Sequence, residues 1–116
     1  MEALGRLLLL RRSTCPVMSE LDQKLRELFL KFKPLVESRL AAIEAGIAAA
    51  EQGSLTEELR AAAEREAHKL AGALGSYGLG RASELARELE QRFAAGAIDP
   101  AARSQYAELC REIDRF

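Results

Sequence analysis

The sequence predicts an all-α protein, an antiparallel four-helix bundle of up-down topology with a short N-terminal extension or extra helix. Three observations support this prediction. Leu, Ala, Glu and Arg, all strong helix formers, dominate the chain of 116 residues. Apolar residues recur at steps of three and four along four segments, which is the spacing of one helix face. No segment shows the alternation typical of a half-buried strand.

Size and charge exclude several classes of function. A chain of 116 residues fits one domain, and 17 basic against 18 acidic residues give a net charge of -1. This balance lacks the basic stripe that binds a phosphate backbone, so nucleic acid is not an expected partner. One histidine and two distant cysteines, Cys15 and Cys110, cannot assemble a zinc site. They favour a reducing, cytoplasmic setting over a disulfide scaffold.

The first 17 residues precede the helical pattern. The apolar run Leu7–Leu10 is too short for a signal peptide or a membrane span, and Arg11 and Arg12 close it. No membrane association is therefore expected. We interpret residues 1–17 as an N-terminal leader, either unstructured or a short helix, and residues 18–116 as the four-helix bundle.

The first bundle helix is predicted to begin at Ser19, an N-cap followed by Asp22 in the first turn. Gly53 provides a suitable C-terminal stop. Pro34 lies inside the pattern, where it is expected to kink or break the helix near Phe32–Lys33. The apolar stripe of this helix consists of Leu21, Leu25, Leu28, Phe29, Phe32, Val36, Leu40, Ile43 and Ile47.

The second helix is predicted to open with a capping box, in which Ser54 is the N-cap and Glu57 is at position N3. It ends in a glycine-rich corner at residues 75–80, where Gly78 is interpreted as a turn residue. Its stripe consists of Leu59, Ala63, Ala67, Leu70 and Leu74.

The third helix ends at Gly96, and Asp99 and Pro100 supply an N-cap and a first-turn proline for the fourth. The two stripes are Leu79, Ala82, Ala86, Leu89 and Phe93, then Ala102, Tyr106, Leu109, Ile113 and Phe116. Arg81, Arg87 and Arg92 lie outside the third stripe, and ion pairs with nearby Glu residues explain them. Cys110 is interpreted as a small apolar filler. Glycine-rich and proline-containing corners between short helices favour a closed monomeric bundle over a helical oligomer.

The single histidine points away from the predicted core. At about 100° per residue, the second stripe spans roughly 80° of the helix, and His68 lies about 140° from its centre. Gly72 and Gly75 follow on the same outer face, although each costs about 1 kcal/mol relative to Ala in a helix. They leave the imidazole open to a partner surface, and neutral imidazole is a good nucleophile. The alternative is an inert surface histidine, with Gly75 explained by helix termination.

The segment from Ala67 to Glu90 resembles the signature of histidine-containing phosphotransfer (HPt) domains. The matching residues are His68, Leu70, Gly72, Gly78, Leu85, Leu89 and Glu90. The motif covers about a fifth of the chain, and the helical layout from Ser19 to Phe116 agrees with the four-helix bundle of that family. The resemblance implies that His68 accepts a phosphoryl group.

By this resemblance the protein is a phosphorelay intermediate, a phosphocarrier rather than an enzyme with its own ATP or metal site. The implied partners are a receiver domain of a response regulator and a histidine kinase or hybrid kinase. No cofactor is expected on this chain, because it shows no phosphate loop and no set of carboxylates for Mg²⁺. The Mg²⁺ ion is expected on the partner receiver domain.

One position departs from the family pattern, because Ala71 stands where a lysine commonly follows the histidine by three residues. Arg65 lies one turn before His68 and about 60° around the helix, so its guanidinium is a candidate to replace that charge. Lys69 projects about 100° away and is a weaker candidate. Both have a solvated charge as the alternative, and Arg65 has in addition an ion pair with a nearby Glu. Glu64 is a candidate for the rim of the docking surface, with a solvated helix charge as the favoured alternative.

The missing lysine also supports an alternative function, in which the bundle docks a receiver or kinase as a scaffold and carries no phosphate. The sequence does not distinguish a free-standing protein from part of a larger kinase. Phosphorylation of His68 is the favoured interpretation.

Overall fold

The computed structural model describes residues 16–116 and shows four helices in that range. They are α1 (Pro16–Glu51), α2 (Glu57–Ser76), α3 (Gly80–Ala95) and α4 (Pro100–Asp114), with no strand among the described residues. The all-α bundle predicted from the sequence is confirmed. The predicted leader lies mostly outside the described residues. The described residues divide into two compact units, a first unit up to residue 32 and a second unit of residues 33–116, and the boundary falls inside α1.

The start of α1 differs from the prediction. The helix begins at Pro16, so Ser19 lies within it and is not its N-cap. Proline suits a first helical position, since its missing N–H has no intrahelical partner there. The predicted break near Phe32–Lys33 is also wrong, because α1 continues through Pro34. The burial of Phe29 and Val36 on either side of the proline helps to offset its cost of about 3 kcal/mol.

In the first unit, most of the predicted apolar stripe is exposed rather than buried. Leu21, Leu28 and Phe32 are exposed, whereas Phe29 is buried. Helix α1 has 36 residues, whereas the other described helices have 15 to 20.

The second unit holds the core, and here the predicted stripes are confirmed. Helices α2 and α3 are joined by residues 77–79 and form a helical hairpin, and α4 packs against α3. Burial of large apolar side chains is the main stabilising term for such a bundle. The largest fully buried side chains are Ile43, Ile47, Leu70, Leu74, Leu85, Leu89, Phe93 and Leu109.

A glycine lets α1 approach this hairpin closely. A Cβ atom added to Gly46 would lie 2.9 Å from the Cβ of Ala63 on α2 and 2.8 Å from Cε1 of Phe93 on α3. Both distances are shorter than carbon atoms tolerate. Gly46 is therefore the point at which α1, α2 and α3 meet.

The N-terminus of α2 lies two residues beyond the predicted cap. The hydroxyl of Thr56, not that of Ser54, accepts a hydrogen bond from the N–H of Leu59 at 3.1 Å. The capping box is thus a wrong prediction. Ser54 belongs to the end of α1, because its backbone N–H donates to the carbonyl of Ala49 at 2.8 Å.

The other predicted ends are confirmed. Gly78 and Gly96 have φ of +81° and +71°, which glycine adopts without strain, and they end α2 and α3. Helix α2 continues through Gly75 to Ser76 before this turn. The carboxylate of Asp99 accepts a hydrogen bond from the N–H of Ala101 at 3.1 Å and caps α4.

Polar contacts attach α4 to the second half of α1. The guanidinium of Arg103 donates to Glu51 at 2.9 and 3.0 Å and also to Glu44. The Tyr106 hydroxyl donates to the carbonyl of Leu40 at 3.2 Å. Burial raises the pKa of the neighbouring Cys110 thiol, which is half-buried and stays protonated at neutral pH.

Candidate functional site

His68 lies on the outer face of α2, between buried neighbours. Ala67 and Leu70 have no exposed surface, whereas 74% of the His68 side chain is exposed. This orientation agrees with the helical arithmetic from the sequence. The ring is therefore reachable by another protein without any change in the bundle.

The imidazole is held by a carboxylate from the neighbouring helix. Nδ1 of His68 lies 2.9 Å from Oε2 of Glu90 on α3, and 24% of the Glu90 side chain is exposed. A carboxylate only accepts hydrogen bonds, so we assign the ring proton to Nδ1. In the neutral ring this tautomer leaves the lone pair of Nε2 facing outward. The contact therefore selects Nε2 as the nucleophilic atom.

Sequence reasoning included Glu90 in the motif but missed this contact. The two residues are 22 positions apart, and periodicity within one helix says nothing about pairs across a hairpin. The available signal was the location of Glu90 directly after Leu89, which places it beside the buried stripe of α3 rather than opposite it.

Two shallow depressions flank the ring of His68. The first is lined by Ala61, Glu64, Arg65, His68, Lys69 and Glu90. The second is lined by His68, Ala71, Gly72, Arg87, Glu90 and Gln91. His68 and Glu90 border both depressions, so the imidazole stands between them at the α2–α3 seam.

The two cations predicted to assist His68 lie in the first depression, and both face the same carboxylate. The Arg65 Nε atom lies 3.6 Å from Oε2 of Glu66, and the Lys69 Nζ atom lies 3.7 Å from the same oxygen. Glu66 also faces Arg39 on α1 at 3.6 Å. Arg65 therefore forms an ion pair with a nearby Glu, which was the alternative to a role at His68.

The second depression contains Arg87, which was predicted from the sequence to form an ion pair. Arg81 pairs with Glu84 and Glu108, and Arg92 pairs with Asp99. Arg87 makes no hydrogen bond or ion pair with any residue from 16 to 116, so the prediction was wrong for Arg87. It lines the same depression as His68 and as Ala71, which is 3% exposed.

The remaining predicted site residues are only partly brought together. Gly72 lines the second depression, and a Cβ atom added there would meet nothing within 4 Å. Gly75 lines neither depression and lies over Ser83, whose Oγ would be 3.5 Å from an added Cβ. Glu64 lines the first depression and accepts a hydrogen bond from Arg60 at 2.7 Å.

Within residues 16–116, no three His, Cys, Asp or Glu side chains are grouped so that they could hold a metal ion. No helix in the same range is long and apolar enough to cross a membrane. The described site thus consists of one oriented imidazole, an orienting carboxylate and nearby cations on an open surface.

The fold and site together define an all-α bundle that presents one oriented histidine on its surface. The family model of the Hpt domain matches residues 18–116. The chain belongs to the Hpt domain family, whose members carry phosphoryl groups on histidine in phosphorelays. Comparison with curated proteins and with solved structures gave no significant match. The family match confirms the resemblance drawn from the motif around His68.

Proposed function

We propose that His68 is the phospho-acceptor and that it exchanges the phosphoryl group with an aspartate of a response-regulator receiver domain. The contact between Nδ1 of His68 and Glu90, on a ring with 74% of its side chain exposed, carries this proposal. It leaves Nε2 free of this internal contact and pointing toward an incoming partner.

The transfer step follows from that geometry. The Nε2 lone pair attacks phosphorus, and an N–P bond forms as the P–O bond to the partner aspartate breaks. The aspartate carboxylate leaves with the bonding electron pair. The phosphorylated ring keeps its proton on Nδ1 and becomes cationic, and the Glu90 carboxylate stabilises this charge. The reverse reaction uses the same atoms in the opposite direction.

The partner supplies the rest of the chemistry. We propose that Mg²⁺ is bound by the receiver domain, because in-line phosphoryl transfer requires positive charge on the phosphoryl oxygens. A histidine kinase or hybrid kinase is the proposed source of phosphate upstream. An open surface with one nucleophile suits this division, since a receiver can bring its own acidic metal site directly over Nε2.

Labelled phosphate transfer tests the proposal. The wild-type protein and His68→Gln are mixed with a receiver domain carrying radiolabelled aspartyl phosphate and Mg²⁺. We expect acid-labile, alkali-stable label on the wild type and none on His68→Gln. The melting temperature of the variant should stay within a few degrees of the wild type, since the removed ring is exposed.

The competing function is a scaffold bundle that docks a receiver or kinase without carrying phosphate. Its signature is a receiver that binds the wild type and His68→Gln equally while no donor ever labels the wild type. That result, obtained with receivers and kinases from the same genome, would overturn phosphotransfer by this chain. A large loss of stability in His68→Gln would instead indicate a structural histidine.

A further inference from the structure

Arg87 combines two properties that the other cations around His68 lack. It makes no hydrogen bond or ion pair with any described residue, whereas Arg65 and Lys69 both face the carboxylate of Glu66. It also projects from α3, the helix that supplies Glu90, and shares a depression of about 340 Å³ with His68. Its guanidinium is therefore available for a ligand in that depression.

The shape of the second depression leaves room for such a ligand. Ala71 contributes only a methyl group, and Gly72 contributes no side chain. A Cβ atom at position 72 would meet nothing within 4 Å, so the space beside the imidazole is open. A phosphoryl group on Nε2 would add negatively charged oxygens at the edge of this space.

The charges in the depression also demand a cation there. On phosphorylation the ring gains one positive charge, and Glu90 already lies against it at Nδ1. The phosphoryl oxygens on Nε2 add negative charge on the other side of the ring, and a second cation nearby stabilises them. A guanidinium presents a planar fork of donors that suits phosphoryl oxygens.

We propose that Arg87 binds the phosphoryl oxygens of phosphorylated His68 and stabilises that state. This inference rests on the proposed phosphorylation of His68. In this proposal α3 supplies both groups that act on the ring. Glu90 holds Nδ1, and Arg87 binds the negatively charged phosphoryl group on Nε2. Arg65, the candidate from the sequence, remains with Glu66 in this assignment.

A small phosphodonor tests the assignment without any partner protein. Phosphoramidate transfers its phosphoryl group to imidazole with release of ammonia, so contacts made by a receiver play no part. Wild type, Arg87→Gln, Arg87→Lys and the matched control Arg65→Gln are treated in parallel, with His68→Gln as the unlabelled reference. The pKa of the bound phosphoryl group is then measured by ³¹P NMR titration.

A unit positive charge about 5 Å away in a water-like dielectric lowers a phosphoryl pKa by about half a unit, or threefold in the dissociation constant. We therefore expect Arg87→Gln to raise the phosphoryl pKa by about that amount and Arg87→Lys to restore part of it. Arg65→Gln should leave it unchanged. Glu64, Lys69 and Glu90 also face the ring, but they are present in every sample and do not produce the difference.

The outcomes separate this assignment from the proposed function. If the wild type is labelled and the phosphoryl pKa is the same in Arg87→Gln, the role of Arg87 is overturned while that of His68 stands. A shift in Arg65→Gln alone would transfer the role to Arg65. If phosphoramidate and phosphorylated receivers both fail to label the wild type, phosphorylation of His68 fails and the role of Arg87 fails with it.

Discussion

A single hydrogen bond determines what the imidazole of His68 can do. An exposed histidine samples several ring orientations and two neutral tautomers, and only one tautomer has a lone pair on Nε2. The Glu90 carboxylate, 2.9 Å from Nδ1, favours that tautomer and limits rotation of the ring. It acts as a positioning residue, in the way that carboxylates orient metal-binding histidines.

Replacing Glu90 should therefore slow transfer without abolishing it. For Glu90→Ala we expect a fall of about tenfold to a hundredfold in the rate of phosphoryl transfer from a receiver, the range seen when orienting partners of histidine are removed. Glu90→Gln keeps an acceptor oxygen but no charge, so its rate should lie between those of Glu90→Ala and the wild type. Rapid-quench measurement of label on His68 gives these rates.

An NMR measurement separates this role from a merely structural one. The imidazole ¹⁵N shifts of the wild type should report the proton on Nδ1, and Glu90→Ala should shift the population toward the Nε2–H tautomer. Glu84→Gln, a change at an exposed residue of the same helix α3, is the matched control and should alter neither rate nor tautomer. Equal rates in Glu90→Ala and the wild type would contradict the positioning role.

For individual residues, the sequence predicts which way a side chain faces better than it predicts which residues that side chain contacts. Helical arithmetic placed His68 on the outer face and the motif gave Gly72 beside it, because both follow from spacing within one helix. The contacts of Glu90 and Arg87 with the site depend on how α3 lies across α2. The placement of α3 against α2 is determined by how their apolar stripes pack, and the spacing of residues along one helix does not predict this packing.

At the scale of the helices, the approach of α1 to the hairpin depends on a missing side chain. Gly46 faces the Ala63 methyl group and the fully buried ring of Phe93. Neither neighbour can move cheaply, because the methyl group is fixed to the α2 backbone and the ring is enclosed by the core. A larger residue at 46 must push α1 away from α2 and α3.

Gly46→Ala should destabilise the protein, although alanine is the better helix former. Overpacking a core costs about 1 to 3 kcal/mol, and the gain in helix propensity returns at most about 1 kcal/mol. We expect a net loss of about 1 to 2 kcal/mol in the free energy of unfolding, measured by urea denaturation followed by circular dichroism.

Gly72→Ala is the matched control for that measurement. Gly72 is also helical, but its added Cβ meets nothing within 4 Å, so propensity acts alone. This variant should gain up to about 1 kcal/mol of stability. A stabilised Gly46→Ala would mean that α1 does not pack as closely as the structure has it.

The ends of the helices show why boundaries are harder to predict than faces. Asp99 caps α4 and Gly96 ends α3, as predicted, because no neighbouring residue is an equally good candidate for either position. Ser54 and Thr56 are both suitable N-caps for α2, and which of them caps the helix depends on where α1 ends. Ser54 completes that turn through Ala49, which leaves Thr56 to begin α2.

At the scale of the whole second unit, charged contacts bring together parts that are distant in sequence. Arg103 on α4 binds both Glu44 and Glu51, which lie about two turns apart on α1. Arg60 on α2 binds Glu57 and also donates to the carbonyl of Phe93 at the end of α3. These contacts lie at the surface, so water and salt screen them and each contributes modestly.

The contacts of Arg103 and Arg60 with carboxylates nevertheless make the free energy of unfolding depend on pH. The side-chain hydrogen bond from Arg103 lowers the pKa of Glu51, and that from Arg60 lowers the pKa of Glu57. A carboxylate with a depressed folded-state pKa contributes its full stabilisation above its unfolded pKa, near 4.5. The contribution is lost as the pH falls from that value through the lower folded-state pKa.

We therefore expect the melting temperature to be nearly constant from pH 7 to pH 5 and to fall below about pH 4.5. Arg103→Gln removes the hydrogen bonds that depress the Glu51 pKa, so its melting temperature should be lower at pH 7 and should approach that of the wild type at pH 3. Calorimetric scans at low ionic strength give both curves. Parallel curves would show that Arg103 stabilises α4 through its guanidinium, 6.0 Å from the centre of the Tyr106 ring, rather than through Glu51, because the contact with the ring does not titrate in this range.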